Sequence, residues 1–94
     1  MNKLVILLNE RLLRFGYAIT VKKETNTMLK CYIFDLKDYV KIGGVKDYKN
    51  CLKMDVDYKK EDIVKMRDNF TLYSFVKREV KNYEIAKKLG MLRK

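Results

Sequence analysis

Apolar and polar residues alternate along this chain with two different periods, and each change of period marks a new element. Near the start, Val5, Leu8, Leu12 and Phe15 recur at helical spacing, while Lys3, Glu10 and Arg14 mark the opposite side. This pattern predicts a helix over residues 2–15 with one buried face. Glu10 and Arg14 stand in the favourable i, i+4 order. Gly16 sits where a left-handed C-cap would stop the helix.

From Tyr17 the period becomes two. Tyr17, Ile19 and Val21 alternate with Ala18, Thr20 and Lys22, then Thr25-Asn26-Thr27 forms a polar turn and Met28 to Phe34 a second strand. Residues 17–34 are therefore a predicted hairpin. On its second strand Leu29, Cys31 and Ile33 share one face, and Met28, Lys30, Tyr32 and Phe34 the other. Gly43-Gly44 supplies a second turn, flanked by Tyr39-Val40-Lys41-Ile42 and Val45. The cleanest alternation follows, with Leu52, Met54, Val56 and Tyr58 opposed to Cys51, Lys53, Asp55 and Asp57. It predicts a strand over residues 50–57, with Asp57 as N-cap of the next helix.

From Ile63 the spacing returns to threes and fours. Ile63, Met66, Phe70, Tyr73, Val76, Val80 and Tyr83 form the seam of an amphipathic helical region, which Asn69-Phe70-Thr71 or Asn82 could divide. Such a seam serves equally a core-facing helix or a homodimer. The predicted class is α+β: an N-terminal helix, a small antiparallel sheet of three or four strands, and a C-terminal helical region packed on the sheet. Residues 1–94 read as a single domain.

Charge changes the picture from fold to partner. The chain carries 22 Lys and Arg against 12 Asp and Glu, a net charge of +10 in 94 residues. With 48% apolar and 36% charged residues it is globular in composition, not disordered. The many Lys, Asn, Ile and Tyr residues have the profile of an AT-rich genome, so where lysines cluster matters more than how many there are. Residues 77–94 hold seven basic side chains (Lys77, Arg78, Lys81, Lys87, Lys88, Arg93 and Lys94) and two acidic ones (Glu79 and Glu84). Such a density raises the local concentration of polyanions and points to DNA or RNA.

Several chemistries are closed to this sequence. It has no His and only two separated cysteines, so one chain cannot assemble the usual Cys/His zinc site or a Ser-His or Cys-His nucleophile. Its four glycines form neither GxGxxG nor GxxxxGK[ST]. No cofactor is expected and an enzyme is disfavoured. Cys31 and Cys51 read as small buried groups in a reducing compartment. The run Leu4-Val5-Ile6-Leu7-Leu8 is too short for a signal-peptide core and is interrupted by Asn9, Glu10 and Arg11. No stretch approaches the roughly 20 apolar residues that span a bilayer. A cytoplasmic protein without membrane contact is the expectation.

Two local resemblances bear on function. Asp57-Tyr58-Lys59 at a strand end, with Asp35 and Glu10 nearby in the helix-strand-strand-strand order, is similar to the PD-(D/E)xK nuclease fold. That likeness implies Asp35 and Asp57 on a divalent cation and Lys59 beside the attacking water. No Pro precedes Asp35, and Asp57 stands where Glu is commoner. Tyr83-Glu84-Ile85-Ala86-Lys87-Lys88-Leu89-Gly90-Met91 resembles the first helix and turn of a helix-turn-helix. Ala86 and Gly90 would allow close packing and a tight turn there. The recognition helix would begin about where Lys94 stands, so only phosphate contacts are implied.

Three functional readings follow. The first is a non-catalytic nucleic-acid-binding accessory protein that grips the backbone through Lys77, Arg78, Lys81, Lys87, Lys88, Arg93 and Lys94. If the Leu29 face is the core, Tyr32 and Phe34 beside Lys30 and Lys22 add a stacking platform for unpaired bases. The opposed reading has both sheet faces covered by helices. The second is a protein-interaction module, an inhibitor or adaptor docking on an acidic partner through its tyrosines. The metal-dependent nuclease is the remote third.

Overall fold

Helical spacing near the N-terminus is realised as α1 (Lys3–Leu13), in the computed structural model, which describes residues 3–41, 51–66 and 69–93. Val5, Leu8 and Leu12 lie on the buried side of α1. Gly16 takes φ +82°, the left-handed conformation that glycine adopts without strain, and its N–H donates to the Leu13 carbonyl at 3.0 Å. Phe15, expected on the buried stripe, falls beyond Leu13, the last residue of α1, and is exposed, its ring 6.0 Å from that of Tyr73.

Period two gives β1 (Tyr17–Glu24) and β2 (Met28–Asp35), the predicted hairpin. Its turn is closed by the Thr25 N–H on the Met28 carbonyl (2.9 Å) and the Met28 N–H on Thr25 Oγ1 (3.0 Å). The third strand, β3 (Lys53–Lys59), joins the other side of β2, so the antiparallel order is β1-β2-β3. Ile19 pairs with Ile33, and Ile33 with Met54; Cys31 pairs with Val56. The strand predicted over 50–57 is therefore shifted towards the C-terminus, because β3 follows β2 as far as the Met28–Lys59 pair. Asp57 lies inside the ladder and is not a cap. The N-cap position of α3 (Lys60–Val64) is Lys59, which makes no side-chain capping bond.

One face of the sheet carries the main core. Tyr17 and Ile19, then Leu29, Cys31 and Ile33, then Met54, Val56 and Tyr58 meet Val5, Leu8 and Leu12 of α1. Ile63 of α3 and Leu72, Val76 and Tyr83 of α4 (Asn69–Lys88) complete the core from the same side. α1, α3 and α4 therefore share one face of the sheet. On the other face α2 (Leu36–Lys41) covers a small patch, where Leu36 and Tyr39 close over Ala18, Phe34 and Cys51. Tyr39, Val40 and Lys41 belong to this helix, and the Gly43-Gly44 turn with Ile42 and Val45 lies outside the described residues.

The C-terminal seam is divided between α3 and α4, and α4 is phased differently from the prediction. Tyr83 is the anchor. Its hydroxyl donates to the Leu52 carbonyl (3.0 Å) and accepts the Asp35 N–H (3.3 Å), and its ring packs edge-on against Tyr17 at 5.0 Å. With Tyr83 inward, Leu72 and Val76 follow it into the core. Phe70 lies roughly 140° round the helix from Tyr83 and is 79% exposed; Tyr73 is 51% exposed. Asn82 interrupts nothing. Val76 and Tyr83 of the predicted seam are thus buried within the chain, while Phe70 and Tyr73 of the same seam are exposed.

At its end α4 closes with Gly90 at φ +68°, its N–H on the Lys87 carbonyl (3.1 Å) and the Met91 N–H on the Ala86 carbonyl (2.9 Å). This bond pair is a Schellman C-cap. The segment that resembles a helix-turn-helix thus makes its helix end and turn, but the chain then runs to the sheet. Arg93 exchanges two backbone hydrogen bonds with Lys53 on the outer edge of β3. Both cysteines are buried and outside any disulfide, and burial pushes the Cys31 thiol up to about 11, with Asp57 adding to the shift. No helix among the described residues is long and apolar enough to cross a membrane.

Candidate nucleic-acid interface

The cations of the C-terminal region fall into two groups on opposite sides of the sheet. Lys77, Arg78, Lys81, Lys87 and Lys88 project from α4, all exposed. At about 100° per residue Lys77, Lys81 and Lys88 lie within roughly 40° of one another, a solvent stripe about 16 Å long with Glu84 between them. Phe70 and Tyr73 extend this stripe towards the helix start, and Lys77 Nζ stands 5.5 Å above the Tyr73 ring. Arg78 and Lys87 flank it on either side. Arg78 is partly engaged within the chain, with Nε 3.8 Å from Glu79 Oε1 and its guanidinium 5.3 Å from the Phe75 ring centre. In the last turn Lys87 and Lys88 also complement the helix dipole.

The second group surrounds Tyr32 on the open face of the sheet, because residues 30 and 32 alternate away from the core-facing Leu29, Cys31 and Ile33. Lys22 Nζ and the Arg93 guanidinium each lie 5.3 Å from the Tyr32 ring centre, and Lys53 Nζ lies 6.0 Å away. Lys53 is only 8% exposed, and its ammonium donates to the Cys51 carbonyl at 3.2 Å. Asp55 is the carboxylate of this group, 2.8 Å from Arg93 Nε and 3.9 Å from Lys22 Nζ. Its hydrogen bond and charge hold the Arg93 proton more firmly than usual. Exposed Lys30 sits two pairs further along, opposite Asp57 in the ladder.

The structure brings some of the sequence-predicted positions together and separates others. Lys77, Lys81 and Lys88 are brought together, and Arg93 is brought to Tyr32. Lys30 and Tyr32 are not brought to the α4 stripe, since the sheet lies between them. Arg93 is committed to Asp55 and to the Tyr32 hydroxyl, which accepts its Nη2–H at 2.8 Å. The aromatic platform is reduced to Tyr32 alone, because Phe34 is fully buried beneath α2. Lys94 lies outside the described residues. Lys53 and Asp55 escaped the sequence reading, although their place on the polar side of the β3 alternation marked them as neighbours of Tyr32.

The carboxylates of the nuclease resemblance do not converge. Asp57 and Lys59 stand at one end of the sheet, opposite Lys30 and Met28. Asp35 lies at the other end of β2, about 17 Å from Lys30 along the strand. Its Oδ1 accepts the Lys37 N–H at 2.8 Å. Among the described residues no group of three or more His, Cys, Asp or Glu is placed to hold a metal ion. Comparison with protein families, with curated proteins and with solved structures gives no match for this chain.

Proposed function

We propose that this chain is a small non-catalytic protein that binds nucleic acid by gripping the phosphate backbone through α4. The observation that carries this reading is the stripe of Lys77, Lys81 and Lys88. All three are exposed, and none is held in an ion pair among the described residues. Cations left free on one helical face, in a chain of charge +10, favour polyanions and release their counterions on contact. Phosphate contacts of this kind position a protein without reading sequence.

The test is fluorescence polarisation with labelled duplex DNA, single-stranded DNA and RNA across a salt series. The expected result is an affinity whose logarithm falls linearly with the logarithm of salt, with a slope of about −2 to −3 for three contacts. Absence of binding even at low salt would overturn the proposal.

Exposed aromatics favour a second reading, a protein-interaction module. Phe70 and Tyr73 are uncovered on α4, with Phe15 against Tyr73. Aromatic residues beside a lysine stripe suit an acidic protein surface as well as a base. Under that reading Phe70→Ser with Tyr73→Ser abolishes capture of an acidic partner and leaves the salt-dependent grip on duplex DNA absent in both forms.

A further inference from the structure

Among the described residues the outer edge of β3 is an open strand edge with a template already seated at one end. β3 is the last strand of the sheet, and the Lys53 N–H and C=O turn outward to Arg93. The ladder to β2 runs without a register shift. Antiparallel alternation therefore turns the N–H and C=O of Asp55, Asp57 and Lys59 outward as well. Among the described residues the outward groups of Asp55 and Asp57 have no backbone partner, while Lys59 is the N-cap of α3. The chain's own tail shows what the edge accepts. Leu92 turns inward against the main core, and Arg93 turns outward and lays its guanidinium on Asp55.

Beyond Asp55 the edge borders a cavity of about 700 Å³ whose other sides are α3 and α4. Ile63, Met66 and Phe75 form its apolar side. Its carboxylates are the exposed Asp57 and Asp62 and the buried Glu79, which is 7% exposed. Glu79 Oε2 accepts the Tyr58 hydroxyl at 3.3 Å, and Arg78 is the cation of the lining. Three carboxylates against one guanidinium make the cavity lining acidic in a chain of charge +10. Burying Glu79 costs free energy that the Tyr58 bond and the exposed Arg78 at 3.8 Å offset only in part.

The geometry points to this edge as a docking strip for an extended, basic segment of a partner protein, added as a fourth strand opposite Asp55 to Lys59. Its outward Lys or Arg residues meet Asp57 as Arg93 meets Asp55. An inward Lys or Arg enters the cavity, its aliphatic stem along Ile63, Met66 and Phe75 and its charged head at Glu79 and Asp62. This site is separate from the α4 stripe and opposite to it in charge, so it does not depend on nucleic-acid binding.

A fluorescent peptide with a central Arg-Arg pair, which puts one Arg on each face of the added strand, flanked by Val and blocked at both ends, tests the assignment against the same peptide with Glu in place of Arg. The Arg peptide is expected to bind saturably against the net repulsion of two cations, and the Glu peptide not to bind. Combining Asp57→Asn with Glu79→Gln is expected to weaken binding roughly tenfold or more. N-methylation of the peptide amides that face β3 is expected to abolish binding, while methylation of the opposite edge leaves it intact. Because that last comparison uses the unaltered protein, it holds even if a variant fails to fold. Equal binding of both peptides, indifference to the methylated edge, or an edge-paired dimer that excludes the peptide would overturn the assignment.

Discussion

Arg93 meets both oxygens of Asp55, with Nε 2.8 Å from Oδ2 and Nη2 3.2 Å from Oδ1, and the same Nη2 reaches the Tyr32 hydroxyl at 2.8 Å. One guanidinium fork thus joins the tail to two strands, geometry that a lysine could not reproduce. Its partners are well exposed, so the contact orders the tail more than it stabilises the fold. Arg93→Ala is expected to strip hydrogen-exchange protection from the Lys53 N–H while the thermal midpoint barely moves. Unchanged protection at Lys53 would show that the backbone bridge holds without the side chain.

Tyr83→Phe removes a hydroxyl that serves two backbone groups, the Leu52 carbonyl and the Asp35 N–H. Both sit beside a fully buried ring, so each loses a partner that water cannot easily replace. The expected loss in urea unfolding is about 1–3 kcal/mol. Tyr73→Phe, at an exposed position of the same helix, should cost almost nothing, and equal losses would refute the argument.

Burial pushes the Glu79 carboxyl above the ordinary glutamate value of 4.5, while Arg78 and the Tyr58 hydroxyl pull it part of the way back. The folded chain then holds this proton more tightly than the unfolded chain does. Between the two pKa values the folded state binds more protons, so the contribution of Glu79 to stability falls as pH rises through that window. Glu79→Gln keeps an acceptor for Tyr58, whose own hydroxyl is held protonated by burial and by the Glu79 charge. The variant should be the more stable form at neutral pH, with the difference vanishing in acid. Urea unfolding at a series of pH values reads this directly, and a pH-independent offset would argue against it.

Reversing the stripe separates a placed charge from bulk charge. Lys77→Glu, Lys81→Glu and Lys88→Glu together should abolish DNA affinity and flatten the salt slope by about one per lysine. A control with Lys3→Glu, Lys37→Glu and Lys65→Glu changes three other exposed lysines and the net charge equally. Binding by polarisation should survive the control far better. Equal losses would mean that total charge, not α4, holds the ligand.

Much of the architecture was legible in the order of residues. The period-two runs fixed which side of β2 and β3 is apolar, since a one-residue slip would put every Leu29, Cys31 and Ile33 into water. Gly16 marked the stop of α1 because only a positive φ ends the helix there. The α4 seam was less legible. Phe70 and Tyr73 fit an apolar stripe about as well as Leu72 does, and the tie was broken by Tyr83 bonding to Leu52 and Asp35, far away in sequence.

What the sequence by itself determined is the set of periods, the chain stops and the charge of +10, because these depend on neighbours along the backbone. Which face of each element is covered was decided by tertiary structure alone. Phe34 and Tyr32 alternate to the same side of β2, yet α2 closes over Phe34 and leaves Tyr32 among Lys22, Lys53 and Arg93. Seven C-terminal cations looked alike in sequence, and folding divided them. Arg93 was carried round the edge of β3 onto Asp55, while Lys77, Lys81 and Lys88 stayed on the solvent side of α4. The physical reason is that a side chain's partners across a sheet or around a helix are fixed by packing between distant segments, which no local pattern encodes.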